Sequence, residues 1–345
     1  MPNTPSRLAP LRASKRVEGR ALLGFAAGAL DPDRPLLVHL VVTRRCNLSC
    51  GYCVEYDHTS APVPLETLCE RVDHLARLRT VTVALTGGET LLHPQVPELV
   101  RHVRARGMSA TLNTNGLLLT AGRIRALGDA GLLGMQVSVD AVTPNATTKK
   151  ALRPLLPKLR LLAEHARFRV QVNTVFGAAP PEEALEVVRT ASELGFAAKC
   201  SLARRTDGTP LPQDARAREI LAEIGRLRGR SLGPFDETFQ DALLRDGKLD
   251  WKCRAGARFF HVCENGLVLF CGVRMGAPGT PLAEYGVADI RRAFGERKAC
   301  AVSCPVAYAH QASRLDSFRA QAGSETVQGP HGGARSGLKH LPVIA

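Results

Sequence analysis

Short β-rich runs alternate with longer helical runs six times between Leu36 and Leu232, and this alternation constrains the fold more than any other feature. Pro at helix starts and Gly just past helix ends punctuate the units. Strands that alternate with helices pair in parallel through right-handed crossovers, so ligands gather at the carboxyl ends of the strands. The pattern predicts an α/β fold, as a partial (βα)6 barrel or an open doubly wound sheet. The predicted strands are 36–43, 80–86, 109–114, 134–140, 168–175 and 195–201. The predicted helices are 65–78, 94–106, 120–130, 149–166, 181–194 and 214–230.

The flanking segments differ from this core. Residues 1–34 form a basic N-terminal extension whose apolar stretch, residues 21–30, is too short to span a bilayer and lacks a secretory cleavage site. We expect it to be a helix packed on the core, 35–232. Residues 233–312 form a smaller cysteine-rich α+β domain, and the Gly-, Ser- and His-rich tail within 313–345 is predicted to be disordered.

Ten cysteines in a chain without an export signal indicate a cytoplasmic protein that uses thiols for metal binding rather than for disulfides. Three of them crowd into residues 46–53 and five into residues 253–304. Two local groups predict two metal sites.

The first group is Cys46, Cys50 and Cys53, directly after the first strand. Three thiolates can ligate three corners of a four-iron cluster and leave one iron open for a non-protein ligand. Zinc is the alternative, with His58 as its fourth ligand.

This CxxxCxxC pattern, with Tyr52 before its last cysteine, resembles the hallmark of the radical S-adenosylmethionine (SAM) superfamily. The resemblance covers about residues 36–230 and implies a partial barrel, a [4Fe–4S] cluster on these cysteines and SAM bound to its open iron. Reductive cleavage of SAM would then give a 5′-deoxyadenosyl radical that abstracts hydrogen from a substrate. Further residues implied in SAM binding lie at the ends of successive strands. They are Gly87, Gly88, Glu89, Asn115, Ser138, Asp140 and Asn173.

The second group is Cys253, Cys271, Cys300 and Cys304, with Cys263 as an alternative ligand. Asn265-Gly266 between β-rich runs predicts a hairpin that brings Cys253 and Cys271 together. The pattern resembles the twitch domain, a shortened SPASM domain, although its last pair is spaced CxxxC rather than CxxC. The resemblance implies an auxiliary [4Fe–4S] cluster with four thiolates, which favours electron conduction and a net oxidation. A zinc site or a buried-thiol module is the alternative.

The two remaining cysteines are predicted to be buried apolar residues, although Cys200 on the sixth strand is also a candidate radical acceptor. The formal charge of +14 concentrates between Lys149 and Arg169. We interpret that segment as a solvated helix face, because it lacks the interleaved aromatics that nucleic-acid binding requires. A basic nucleic-acid-binding or RNA-modifying protein and a non-catalytic iron–sulfur scaffold remain alternatives.

The resemblance also implies partners. A flavodoxin or a ferredoxin would donate electrons, and the substrate would be a small molecule, a lipid or a peptide. The residues before the first strand are too few for a fused leader-binding domain, so a peptide substrate would need a separate carrier protein.

Overall fold

A nine-stranded sheet dominates the computed structural model, which describes residues 15–53, 56–205, 209–227, 238–274, 277–319 and 326–327. The strand order is β6-β5-β4-β3-β2-β1-β7-β8-β9, and β1 to β6 are parallel to one another. The six parallel strands are Leu37–Thr43, Thr82–Gly87, Ser109–Thr114, Gly134–Ser138, Arg169–Phe176 and Ala197–Leu202. Each lies within two residues of its predicted position.

Helices connect these strands in sequence and lie on one side of the sheet, because right-handed crossovers between successive neighbours place them there. Helix α1 precedes β1, and α2 to α6 occupy the five crossovers. Helices α7 and α8 follow β6, and α9 and α10 belong to the C-terminal part. Within the described residues, helices α1 to α10 are Lys15–Leu30, Leu65–Arg77, Val96–Ala105, Ala121–Asp129, Leu152–His165, Pro181–Glu193, Ala215–Leu227, Thr238–Asp246, Val287–Gly295 and Ala307–Arg314.

The core fills the space between the parallel strands and these helices. Alternate strand residues such as Val38 and Leu40 of β1 pack there against the apolar faces of α2 to α6. Residues on the other face, such as His39 and Lys199, turn away from the helices. Lys199 of β6 lowers the pKa of His39 on β1, so the two side chains are close. In a flat sheet strands β1 and β6 would lie about 24 Å apart, so the sheet curls into the predicted partial barrel.

The C-terminal part continues the same sheet. Strand β7, Phe259–Val262, pairs in parallel with β1, and β8, Leu267–Leu269, returns antiparallel through the predicted Asn265-Gly266 turn. Gly266 has a φ of 84°, which a residue with a side chain rarely adopts. Strand β9 is Thr280–Pro281, and Arg297–Lys298 pairs separately with Thr326–Val327. The hairpin of the predicted cysteine-rich α+β domain therefore extends the sheet of the barrel.

Helix α1 docks on this framework as expected, through its glycines. A β-carbon on Gly28 would lie 2.4 Å from Leu36, and one on Gly24 would lie 3.1 Å from Val81. Below α1, the buried Arg258 guanidinium donates to the carbonyl oxygens of Gly28 and of two later residues, and it pairs with the buried Asp316 carboxylate at 2.6 Å.

The folded part of the chain extends past residue 313, the predicted start of the disordered tail. Residues 313–319 belong to the folded part, because Ser313 and Asp316 are buried and Arg319 donates to the carbonyl oxygen of Ala29. The predicted boundary at residue 232 and most of the tail lie outside the described residues. Within the described part of the chain, no helix combines the length and the apolar character that a membrane crossing needs.

Candidate functional site

The loop after β1 holds the first three thiols at the carboxyl edge of the barrel. The backbone N–H of Leu48 donates to Cys46 Sγ at 3.4 Å, and that of Lys149 donates to Cys50 Sγ at 3.3 Å. His58 is not placed to complete a zinc site. Its Nδ1–H donates to the carbonyl oxygen of Cys46 at 3.0 Å, which leaves Nε2 to accept from Ser49 Oγ at 2.9 Å.

The glycines after β2 are required by the close approach of two backbones. A β-carbon on Gly87 would lie 2.0 Å from the carbonyl oxygen of Thr43, and one on Gly88 would lie 2.2 Å from that of Arg44. Gly87 also has a φ of 143°. Because these two glycines have no side chain, the end of β2 can pack against the loop that carries Cys46, Cys50 and Cys53, called the cysteine loop below. The sequence alone did not predict this role.

Glu89 is fully buried, and its carboxylate accepts three hydrogen bonds from the protein. Oε1 accepts from the N–H of Leu91 at 2.9 Å and from Thr114 Oγ1 at 2.5 Å, and Oε2 accepts from the N–H of Asn115 at 2.7 Å. Burial raises the pKa of Glu89, and these hydrogen bonds oppose the shift. Glu89 thus joins the end of β2 to the end of β3, and the remaining lone pair of Oε2 is the one that could face a cofactor.

Tyr52 and Asp140 meet directly, although the sequence placed them 88 residues apart. Tyr52 Oη donates to Asp140 Oδ2 at 2.5 Å, Thr148 Oγ1 donates to the same oxygen at 3.1 Å, and Asp140 Oδ1 accepts from the N–H of Val175 at 3.0 Å. Burial and the nearby Asp140 carboxylate raise the pKa of Tyr52. Asp140 therefore anchors the cysteine loop to the ends of β4 and β5.

Lys150 is a site residue that sequence reasoning missed, because it was counted only as part of a basic helix face. Its Nζ donates to Tyr52 Oη at 2.9 Å, and it lies 5.0 Å from the centre of the Tyr52 ring. Burial lowers the pKa of Lys150, but Tyr52, Asp140 and the Cys53 and Cys50 thiols outweigh burial and hold it well above its ordinary value. The signal that could have identified it is its position on the loop that follows β4.

The other predicted strand-end residues take different positions. Asn115 is buried, and its Nδ2 donates to Asn47 Oδ1 at 2.8 Å and lies 3.9 Å from Cys46 Sγ. Ser138 and Asn173 are register partners on the inner face of β4 and β5, and Asn173 Oδ1 accepts from Ser201 Oγ at 2.8 Å. Asn115 therefore contacts the cysteine loop, whereas Ser138 and Asn173 lie on the barrel wall.

The second thiol group gathers beside β7. Burial raises the pKa of Cys253, and the thiols of Cys304, Cys271 and Cys300 raise it further, so the four side chains lie close to one another. Burial likewise raises the pKa of Cys304 to about 12. Cys263 is elsewhere, at the end of β7, where its carbonyl oxygen accepts from Arg71 of α2 at 3.2 Å.

The same backbone geometry recurs at both thiol groups. The Cys46 sulfur accepts a hydrogen bond from the backbone N–H of the residue two positions later in the chain. The sulfurs of Cys253, Cys271 and Cys304 each accept the equivalent hydrogen bond. Such bonds stabilise the negative charge that a thiolate carries when it ligates a metal. Among the described residues no three His, Cys, Asp or Glu side chains converge as ligands of a single ion.

Cys200 does not line the barrel interior. It is fully buried beside α6 and α7, in an apolar cluster with Phe176, Leu202 and Ile220, whereas Lys199 and Ser201 on either side of it face inward. Cys200 is thus placed as a buried apolar residue, and its position does not fit a radical acceptor. Cys69 lies on α2, where burial and the nearby Asp73 carboxylate raise the pKa of its thiol.

A polar lumen runs along the inner face of the sheet between the two thiol groups. Lys199 and amide side chains of neighbouring strands line it; all are partly exposed except Asn173, which is buried. The imidazoles of His39 and His261 stack at 5.5 Å on the opposite wall. Burial, His261 and Lys199 lower the pKa of His39 to about 3, so the His39 imidazole is neutral at physiological pH. The amide residues are Asn113, Gln136, Gln171 and Asn173.

The basic segment between Lys149 and Arg169 is not one continuous face. Lys149 donates to the carbonyl oxygen of Asn145, and Lys158 donates to that of Leu119. These two lysines and Lys150 make hydrogen bonds within the protein, whereas the arginines of this segment are exposed.

Residues 40–203 match the model of the radical SAM superfamily. These residues therefore form a domain of that superfamily. Its members use a [4Fe–4S] cluster together with SAM, and the three thiols after β1 are the donor set that such a cluster needs.

Two curated proteins illustrate what this chain is similar to. It is 32% identical to an AdoMet-dependent heme synthase of Methanosarcina barkeri, over 48% of this chain and 50% of that protein. It is 29% identical to a PqqA peptide cyclase of Methylocella silvestris, over 69% of this chain and 68% of that one. The chain spans about half or less of the length of several other curated relatives.

Solved structures share the fold. SuiB of Streptococcus suis, in a structure with the precursor peptide SuiA bound, has a TM-score of 0.60 and 13% identity, over 88% of this chain and 78% of SuiB. The anSMEcpe structure with bound AdoMet has a TM-score of 0.56 and 13% identity, over 82% of this chain and 96% of that one. At these identities the similarity establishes the fold alone.

Proposed function

We propose that this protein is a radical SAM enzyme that carries two [4Fe–4S] clusters and oxidises a substrate held in the barrel lumen. The observation that supports this most is the shared geometry of the two thiol groups, in which sulfur atoms accept from backbone N–H groups two residues later. The three thiols after β1 would hold the cluster that supplies reductive cleavage of SAM, and the four thiols beside β7 would hold a cluster that could accept one electron.

The residues around the first site have separate tasks in this proposal. Cys46, Cys50 and Cys53 hold three irons, and the loop that carries them rests on the glycines after β2. Lys150 compensates the negative charge of the thiolates, because its raised pKa keeps it protonated. Asp140 and Tyr52 hold the loop against β4.

The second site is assigned to Cys253, Cys271, Cys300 and Cys304. Four thiolates satisfy every iron of a four-iron cluster, so this site has no vacant corner for SAM or substrate. Removal of a hydrogen atom and then of one electron from the substrate, with release of a proton, gives a net two-electron oxidation. Cys263 has no part in this assignment, because Arg71 of α2 holds that segment.

The lumen favours a polar substrate, and we propose a peptide. Amide side chains and the Lys199 ammonium can hydrogen-bond a peptide backbone, and similarity extends over 68% of a PqqA peptide cyclase. All ten cysteines are free of disulfides. This fits a reducing compartment such as the cytoplasm, in which a flavodoxin or a ferredoxin would supply electrons.

Anaerobic reconstitution with iron counting and an assay for 5′-deoxyadenosine tests the function. We expect about eight irons per chain and formation of the nucleoside after reduction with SAM present. Replacement of Cys46, Cys50 and Cys53 by Ala should remove about four irons and all nucleoside formation. Cys69→Ala is the matched control, because this thiol lies outside both groups, and it should change neither quantity. Nucleoside formation by the triple variant, or zinc in the native protein, would contradict the proposal.

A further inference from the structure

The hydroxyl of Tyr308 reaches the auxiliary thiol group. Tyr308 lies on α10, four residues after Cys304, and its Oη is 3.2 Å from Cys271 Sγ. Between a phenol and a thiol, either atom can donate. A thiolate that ligates iron carries no hydrogen and can only accept, so at a loaded site the phenol donates.

The ring of Tyr308 lies on the side of the auxiliary site that faces the lumen. Its centre is 4.6 Å from that of His39 on the inner face of β1, and Phe259 packs against it edge-on at 5.5 Å. These two contacts from neighbouring strands, β1 and β7, hold the ring in place, so the hydroxyl has a defined position beside Cys271. Tyr308 thus lies between the auxiliary thiols and the wall of the substrate space.

A hydrogen bond to a ligand sulfur withdraws electron density from an iron–sulfur cluster and stabilises its reduced state. Backbone N–H groups already donate to Cys253, Cys271 and Cys304, so the Tyr308 hydroxyl adds a second donor to Cys271. Cys271 therefore has both a backbone donor and a side-chain donor.

We propose that Tyr308 is a positioning residue that sets the reduction potential of the auxiliary cluster, through the hydrogen bond that its hydroxyl donates to the Cys271 sulfur. This inference rests on the proposed function, which places a cluster at these four cysteines. A higher potential makes the cluster a better acceptor for an electron that leaves a substrate in the lumen.

The test uses the full chain with Cys46, Cys50 and Cys53 replaced by Ala, so that one cluster gives the signal. This parent should hold about four irons after anaerobic reconstitution. A parent without iron at the second site would contradict the proposed auxiliary cluster itself. With the cluster present, a redox titration followed by electron paramagnetic resonance measures its midpoint potential.

Tyr308→Phe in this parent should keep the iron and lower the midpoint potential, because one donor to sulfur is lost. Tyr285→Phe is the matched control, because the Tyr285 hydroxyl donates to the carbonyl oxygen of Gly256 instead of to a sulfur, and it should leave the potential unchanged. 3-Fluorotyrosine at position 308 keeps the ring and is a stronger donor, so it should raise the potential.

An unchanged potential in both the Phe and the fluorotyrosine variants would overturn the inference. Loss of iron from Tyr308→Phe, with the iron of Tyr285→Phe retained, would also overturn it, because Tyr308 would then serve assembly of the site. If Tyr308→Phe does not fold, the shift in the fluorotyrosine variant decides the question.

Discussion

At the scale of single residues, the cysteine loop depends on a position where a side chain does not fit. A β-carbon on Gly88 would lie 2.2 Å from the carbonyl oxygen of Arg44 and 2.5 Å from that of Arg45. Both atoms belong to the backbone that leads into Cys46, so neither can move without moving the loop.

We therefore predict that Gly88→Ala displaces the loop, removes about four of about eight irons and abolishes 5′-deoxyadenosine formation. Iron counting and the nucleoside assay measure both effects. Gly225→Ala in α7 is the matched control, because its β-carbon would meet nothing within 4 Å. It should keep the iron and stabilise the helix by about 0.5–1 kcal/mol. Full iron in Gly88→Ala would show that the close backbone approach is not required.

At the scale of elements, α10 is held against the auxiliary segment by an aromatic stack. The His310 ring lies between Trp251 at 3.6 Å and Phe239 at 3.9 Å, and its Nε2 donates to the carbonyl oxygen of Cys304 at 2.9 Å. Burial lowers the pKa of His310 to about 4, although the carbonyl oxygen opposes the shift.

This shift predicts a pH dependence. An unfolded histidine has a pKa of about 6.5, so between pH 6.5 and pH 4 the unfolded state binds a proton that folded His310 does not. The contribution of His310 to stability is therefore unchanged above pH 6.5 and falls below it, by about 1 kcal/mol between pH 7.5 and pH 5.5. Urea unfolding of the native protein and of His310→Gln at both values measures this. Gln keeps a donor and does not titrate, so the variant should lose about 1 kcal/mol less. Equal losses would contradict the assignment.

At the scale of the whole molecule, one buried ion pair joins the two ends of the folded chain. Arg258 and Asp316 are fully buried, and Arg258 also donates to the carbonyl oxygens of Gly28, Asp31 and Arg34. Helix α1, the start of β1 and the segment after α10 therefore depend on the same guanidinium.

Without Arg258, the buried Asp316 carboxylate is left with a longer ion pair, to Arg319 Nε at 3.5 Å. Arg258→Met should lower the free energy of unfolding by about 3–5 kcal/mol, as measured by urea unfolding. Asp316→Leu added to Arg258→Met should recover part of this loss, because the weakly compensated carboxylate is gone. A double variant no more stable than Arg258→Met would show that the lost carbonyl contacts of α1 account for the effect.

The sequence by itself determined the six parallel units and the two cysteine groups, because strand and helix periodicity and cysteine spacing are local properties of the chain. The tertiary structure decided which distant groups meet: Lys150 at Tyr52, Asp140 beneath the cysteine loop, Cys200 outside the lumen and β7 beside β1. It also showed that Gly87 and Gly88 serve backbone contact and that Asp316 belongs to the fold. These outcomes depend on how the sheet curls and which loop packs on which, and such long-range contacts leave no periodic pattern in the chain.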